Sequence, residues 1–116
     1  MDTQHALLMF DCLSQETRLQ AFRLLVKAGP AGRAAGELGK ELGIAHNTLS
    51  FHLGHLVNAG LAQSRKEGRS IIYSSAFSAM HELIDFMVRD CCSEDFASIS
   101  QNKRSGTRVI ELGDCC

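Results

Sequence analysis

The chain has 116 residues and a formal net charge of −1, and 45% of its residues are hydrophobic. This composition excludes a collagen-like, low-complexity or wholly disordered chain, and the length suits one domain. No apolar run approaches the ~20 residues that span a bilayer, and no secretory leader is recognisable. We therefore expect a soluble, cytoplasmic protein that makes no membrane contact.

Four helices are predicted in the first half of the chain. The first is a short apolar segment without one clear face, and the other three have apolar residues at helical spacing. Their expected ranges are about 3–13, 15–28, 35–42 and 45–59. Ser14 is a candidate N-cap for the second helix, and Gly29-Pro30 is expected to end it. Residues 31–33 are expected to form a flexible link. Gly43 ends the third helix, and Gly60 follows the fourth at a position where glycine commonly terminates helices.

The hydrophobic pattern changes after the fourth helix. Two short strand-like runs, at about 61–66 and 70–75, flank Glu67-Gly68-Arg69, which predicts a β-hairpin with a tight glycine turn. A last amphipathic helix is predicted at about 77–90, and the polar remainder lacks periodicity. We therefore divide the chain into two parts, a folded domain and a flexible, cysteine-ended tail, at 1–92 and 93–116.

The third and fourth helices, joined at a glycine corner, have the proportions of a helix-turn-helix, in which the second helix enters the major groove of DNA. If Leu49, Leu53 and Leu56 face the core, the opposite face carries side chains that suit contacts with base edges. These candidates are His46, Asn47, Thr48, Ser50, Phe51, His52 and His55. The hairpin completes a winged helix-turn-helix, a mainly α fold with some β structure. Its candidate phosphate contacts are Arg65, Lys66 and Arg69.

Two of these candidates have a structural alternative. Phe51 either touches a thymine methyl group or covers neighbouring apolar surface. His52 either contacts DNA or is buried and hydrogen-bonded near the start of its helix. The whole domain also has a rival interpretation, a winged helix that binds proteins and never DNA. An enzyme is not expected, because the chain lacks a Cys-x-x-Cys motif, a glycine-rich phosphate loop and a plausible nucleophile, base and acid set.

Four short motifs resemble the ArsR/SmtB family of metal-sensing repressors. They are LSQETRL at 13–19, NTLSFHL at 47–53, NAGL at 58–61 and EGR at 67–69. The resemblance covers about residues 5–90 and implies a winged-helix homodimer joined through its first and last helices. It also implies a repressor that binds double-stranded operator DNA without a cofactor and leaves it when a toxic metal or metalloid binds.

The cysteines indicate the inducer. Members of this family hold inducers at different positions, and the third helix of this chain contains no thiol. The last helix offers His81, Glu82 and Asp85 but lacks the second histidine of the zinc pattern. Some arsenic-responsive members are similar, with an adjacent cysteine pair at the end of this helix. Trivalent arsenic and antimony are soft centres that bind thiolates, so the expected ligands of As(III) or Sb(III) are Cys91, Cys92, Cys115 and Cys116.

Other roles of the cysteines stay open at this point. The third sulfur comes from Cys115 or Cys116, of the same subunit or of its partner, or two dithiol sites each hold an organoarsenical. Alternatively, the chain is a thiol-redox repressor, or a sensor of zinc or another soft metal. Cys12 is expected to be a small buried hydrophobe, with a ligand donated across the dimer as the alternative.

Overall fold

The computed structural model describes residues 1–89. In this range the elements follow in the order α1 (Thr3–Leu13), α2 (Glu16–Ala28), a 3₁₀ turn (Gly29–Ala31), β1 (Arg33–Ala34), α3 (Ala35–Leu42), α4 (His46–Asn58), β2 (Ala62–Glu67), β3 (Ser70–Ser75) and α5 (Phe77–Val88). None of the helices in this range combines the length and the apolar character that a membrane crossing requires. Several predicted features lie outside the described residues: the domain limit at residue 92, the tail at 93–116, and Cys91, Cys92, Cys115 and Cys116.

The junction between α1 and α2 differs from the prediction. Ser14, expected to be the N-cap of α2, instead ends α1, and its hydroxyl donates to the Asp11 carbonyl oxygen at 2.7 Å. The N-cap is Gln15, whose side-chain oxygen accepts a hydrogen bond from the Arg18 amide at 2.8 Å. Because α2 begins at Glu16, Ser14 stands one position too early to cap it. The predicted N-cap is therefore wrong by one residue.

The core lies where α2, α3 and α4 meet. Leu25 of α2, Leu38 of α3 and Leu53 of α4 are each 0% exposed. Met9 and Cys12 of α1 join the same cluster, so Cys12 is buried as expected for a small hydrophobe. Burial of apolar side chains supplies the main stabilisation of a small domain, and it holds the three helices in fixed relative positions.

The predicted hairpin forms from β2 and β3, and a third strand that the sequence did not predict extends it. The strand order is β1-β3-β2 with antiparallel neighbours. Arg33 of β1 pairs with Tyr73 of β3, so the expectation of a flexible link at 31–33 is wrong there. A two-residue strand has no periodicity to detect, and its pairing depends on a strand far along the chain. The hairpin of β2 and β3, with the turn between them, forms the wing of the domain, and the outer part of β2 is exposed.

Apolar side chains remain exposed on α1 and α5. Leu7 and Leu8 are each 54% exposed and Phe10 is 41% exposed on α1, while Met87 on α5 is 49% exposed. Exposed apolar patches on a small domain commonly mark a protein interface. These are the two helices through which the sequence predicts a homodimer contact.

Candidate nucleic-acid interface

The helix α4 has one buried face and one exposed face. Gly43 adopts a left-handed conformation with φ 67°, which ends α3 and lets the chain turn into α4. Leu49, Leu53 and Leu56 are at most 1% exposed and pack into the core. Six of the seven predicted positions on this helix carry exposed side chains: His46 at its start, and Asn47, Thr48, Ser50, Phe51 and His55 on the sides away from these leucines. Five of these six side chains carry hydrogen-bonding groups.

Phe51 lies in the middle of this exposed face. Its side chain is 62% exposed, so it does not serve mainly to cover apolar surface of the domain. The ring meets the His55 ring edge-on at a centroid distance of 4.7 Å, and the His52 ring at 5.6 Å. These aromatic contacts, both within the same helix, limit the rotamers of Phe51 without burying it.

His52 lies at the edge of the exposed face and contacts α2. Its Nδ1 is 3.4 Å from Nη1 of Arg18, and the Nε of Arg18 donates to the Cys12 carbonyl oxygen at 2.8 Å. Burial, and then the nearby charges of Arg18 and His55, lower the pKa of the His52 imidazole. The structure therefore places His52 partly between helices, and its contact with DNA stays a prediction. The contact between Arg18 and His52 was not predicted from the sequence, because the residues around Arg18 give no indication of a partner on α4.

The predicted phosphate contacts on the wing differ in their surroundings. Arg65 donates from Nη2 to the Ala31 carbonyl oxygen at 2.7 Å and pairs through Nε with Glu67 at 2.7 Å. This side chain therefore fastens β2 to the turn before β1. Lys66 and Arg69 are exposed and make no ion pair with any residue in the range 1–89. Of the three wing candidates, these two are placed to meet an external anion.

Metal-ligating side chains do not cluster in the described part of the chain. No group of three or more His, Cys, Asp or Glu residues that would hold an ion occurs among residues 1–89. On α5, His81 and Glu82 are exposed, and Asp85 pairs with Arg89 at 3.4 Å. The predicted thiolate ligands lie beyond this range, so their role stays a prediction.

Comparison with known sequences gives related regulators. Residues 13–65 match a family described as a helix-turn-helix domain. The HTH-type transcriptional regulator YceK of Bacillus subtilis, itself uncharacterized, is 36% identical over 69 residues, which make up 60% of this chain and 68% of YceK. The transcriptional activator HlyU of Vibrio cholerae is 28% identical over 87 residues, or 75% of this chain and 78% of HlyU.

Solved structures share the fold. Reduced HlyU from Vibrio cholerae superimposes with a TM-score of 0.61 at 26% identity, covering 75% of this chain and 88% of HlyU. The Mycobacterium bovis protein Mb0332 has a TM-score of 0.62 at 19% identity, covering 93% of this chain and 89% of the other. It is described as a homodimeric winged helix-turn-helix DNA-binding domain and a possible ArsR-family regulator. The predicted winged helix-turn-helix is thus confirmed, and the related proteins are transcriptional regulators rather than enzymes, as expected.

Proposed function

This chain belongs to the HTH-type transcriptional regulators with the ArsR-like winged-helix fold, and we propose that it represses transcription by holding operator DNA. The observation that carries the proposal is the exposed polar face of α4, which lies opposite a stripe of buried leucines. A face of this kind has no partner within the described domain, and its side chains match the hydrogen-bonding groups of base edges.

The dimensions and chemistry of α4 suit the major groove. A helix with its side chains is about 10–12 Å across, close to the ~12 Å width of the groove in B-form DNA. Asn47, in the first turn, has the amide geometry that pairs with adenine, and Ser50 offers a hydroxyl to several bases. Lys66 and Arg69 on the wing supply the positive charge that neutralises neighbouring phosphates.

We propose that the functional unit is a homodimer joined through α1 and α5. The exposed Leu7, Leu8 and Phe10 on α1 and Met87 on α5 supply an apolar surface for this contact. The homodimeric description of Mb0332, which has the same fold, supports this assignment. A two-fold dimer presents two copies of α4 to a palindromic site, with half-sites about one helical turn of DNA apart.

We propose that As(III) or Sb(III) is the inducer and that the thiolates of Cys91, Cys92, Cys115 and Cys116 bind it. The support is chemical, because four of the five cysteines form two adjacent pairs and soft trivalent centres prefer thiolate ligands. Cys91 and Cys92 follow α5 closely in sequence, so binding there would act near the proposed dimer contact. A coupling of ~1–3 kcal/mol would lower operator affinity by about 5- to 150-fold.

A thiol-redox regulator is the second candidate function. A relative of known structure, HlyU, is described in a reduced form, and the paired cysteines of this chain would also form disulfides under oxidation. HlyU is described as an activator, whereas repression is the effect proposed for this chain. Sensing of zinc or another soft metal by the same thiols is a further outcome to be distinguished.

The DNA-binding part of the proposal is tested by selecting preferred duplexes from a random library with the purified full chain. Affinity for the selected duplex and for a scrambled duplex is then measured by fluorescence anisotropy at several salt concentrations. We expect preference for the selected duplex and a steep loss of affinity with salt, because phosphate contacts release counterions. No preferred sequence, or an affinity independent of salt, would refute DNA binding and favour a protein-binding winged helix.

The inducer is tested by release from the selected duplex. Arsenite, antimonite, a methylated trivalent arsenical, zinc and a mild oxidant are each added to the complex, and mass spectrometry counts bound arsenic and oxidised thiols. We expect arsenite or antimonite to release the wild-type protein from the duplex. Neither should release the variant carrying Cys91→Ser and Cys92→Ser. Full release of that variant would contradict the proposed ligands. Release that needs only Cys115 and Cys116 to be intact would move the site to the second pair.

A further inference from the structure

The exposed face of α4 contains a glycine whose position the domain itself does not require. Gly54 lies in the interior of α4, where glycine destabilises a helix relative to alanine. A Cβ built at this position meets nothing within 4 Å, so no contact with the rest of residues 1–89 explains the missing side chain. By contrast, a Cβ at Gly39 of α3 would lie 3.3 Å from the Ile44 carbonyl oxygen, so packing accounts for that helical glycine.

Gly54 is a neighbour of Phe51 on the helix surface. Residues three apart on a helix lie on the same face, one turn from each other. Phe51 is two residues from both Leu49 and Leu53, which at ~100° per residue turns it by about 200° from the buried stripe. The outermost point of α4 therefore carries an exposed aromatic ring, with a shallow gap beside it where Gly54 has no side chain.

An apolar ring beside a gap selects a particular kind of group in the major groove. Most groups on base edges in that groove are hydrogen-bond donors or acceptors, and a phenylalanine ring satisfies none of them. The C5-methyl group of thymine is the apolar group that standard bases present there. His55 meets the Phe51 ring edge-on at a centroid distance of 4.7 Å, and this contact limits the positions that the ring can take.

We propose that Phe51 and Gly54 together form a seat on α4 for the C5-methyl group of one thymine in each operator half-site. Phe51 supplies the apolar contact, and Gly54 supplies the clearance that lets the methyl group and the helix approach closely. This proposal rests on the proposed function, since it requires α4 to lie in the major groove, and it adds the base that the face selects.

Replacing thymine by deoxyuridine tests the seat, because that change removes only the methyl group. Each thymine of the selected duplex is replaced in turn, in both half-sites, and affinity is measured for wild type, Phe51→Ala and Gly54→Ala at fixed salt. For wild type we expect one position at which the change weakens binding by about three- to fivefold per half-site, the effect of one buried methyl-sized group. The Phe51→Ala variant should bind the two duplexes equally at that position.

Gly54→Ala gives a readout that a purely structural role would not produce. Alanine favours the helix, so the urea midpoint of unfolding should rise while affinity for the thymine duplex falls several-fold. The added methyl group fills the seat, so deoxyuridine at the sensitive position should recover part of the lost affinity. Gly36→Ala in α3, where a Cβ also meets nothing within 4 Å, is the matched control and should leave the deoxyuridine pattern unchanged.

Three results would overturn the seat while leaving the proposed function intact. The selected duplex is bound specifically but no thymine position responds to deoxyuridine; Phe51→Ala responds as wild type does; or Gly54→Ala binds as tightly as wild type. A chain that does not distinguish the selected from the scrambled duplex overturns the proposed function and the seat together.

Discussion

Replacing Gly32 by alanine tests how the wing is attached to the domain. Gly32 precedes β1 with φ 74° and ψ −171°, a conformation that is essentially restricted to glycine. A Cβ at this position would collide with the Tyr73 carbonyl oxygen and lie 2.9 Å from Cγ2 of Ile72. Both atoms belong to β3, one of the two strands of the wing, so alanine must push β3 away from β1.

Gly29 provides a control with almost the same backbone. Its φ of 72° and ψ of −160° belong to the same glycine-only region, but a Cβ there meets nothing within 4 Å. The backbone term, ~1–3 kcal/mol, is therefore common to both substitutions. Gly32→Ala adds the cost of forcing atoms into a packed site, about 1–3 kcal/mol more.

We expect Gly29→Ala to lower the free energy of unfolding by ~1–3 kcal/mol and Gly32→Ala to lower it by about 2–6 kcal/mol. Urea unfolding followed by circular dichroism, at one protein concentration because the chain is proposed to dimerise, measures both values. Gly32→Ala should also weaken DNA binding more than Gly29→Ala does, since it displaces the base of the wing. Equal losses of stability in the two variants would refute the reasoning, because the contact with β3 would then contribute nothing.

Three further predictions concern charged, titratable and thiol groups. Lys66→Ala should lower affinity for all duplexes alike and reduce the salt slope by about 2, because each of the two protomers loses one phosphate contact. Arg65→Ala should also lower stability, because it frees β2 from the turn before β1. The pKa of the His52 imidazole is lowered in the folded state, so the unfolded chain binds a proton at this side chain first as the pH falls. The free energy of unfolding should therefore decrease as the pH drops below the ordinary histidine pKa near 6.5, and then level off. His52→Asn should reduce this decrease, measured by urea unfolding. Burial raises the pKa of the Cys12 thiol more than Arg18 lowers it, so less of the reactive thiolate is present in the folded protein. With the other four cysteines changed to serine, Cys12 should therefore react with a disulfide reagent more slowly in the folded protein than in urea.

Each of these predictions has a control and a contradicting result. Lys27→Ala removes an exposed lysine from α2 and should leave the salt slope unchanged, so an equal change in both lysine variants would refute a wing-specific contact. His81→Gln, on the exposed side of α5, should keep the acid-induced loss of stability that His52→Asn flattens. Rapid reaction of Cys12 in the folded protein would mean that α1 opens readily from the core.

The helices were predictable because their burial is periodic and local. Leu49, Leu53 and Leu56 in the sequence indicate which side of α4 is buried, and the structure places all three in the core. The strand β1 was not predictable, because two residues carry no pattern and are held by pairing with β3. The N-cap at Gln15 was missed because a serine stands directly before it and is the commoner capping residue.

The candidate site was predictable as a surface but not in the orientation of each side chain. Exposure of Asn47, Ser50 and their neighbours follows directly from the buried leucines on the other side of the helix. His52 and Arg65 behave differently, because Arg18 and Ala31, their respective partners, each lie 34 positions away in the chain. Contacts over that distance depend on how α2, the turn and the sheet pack together, which local pattern does not specify.

The central claim is that the exposed face of α4 recognises the operator sequence, and it is tested most directly by measuring specificity rather than affinity. Asn47→Ala and His55→Ala are combined in one variant, and its affinities for the selected and the scrambled duplex are compared with those of wild type at one salt concentration. Both side chains are exposed and alanine favours a helix, so the urea midpoint should not fall. We predict that the preference for the selected duplex falls by about tenfold or more, since each base contact contributes ~1–3 kcal/mol. An unchanged preference in a stably folded variant would mean that the exposed face of α4 does not read the operator.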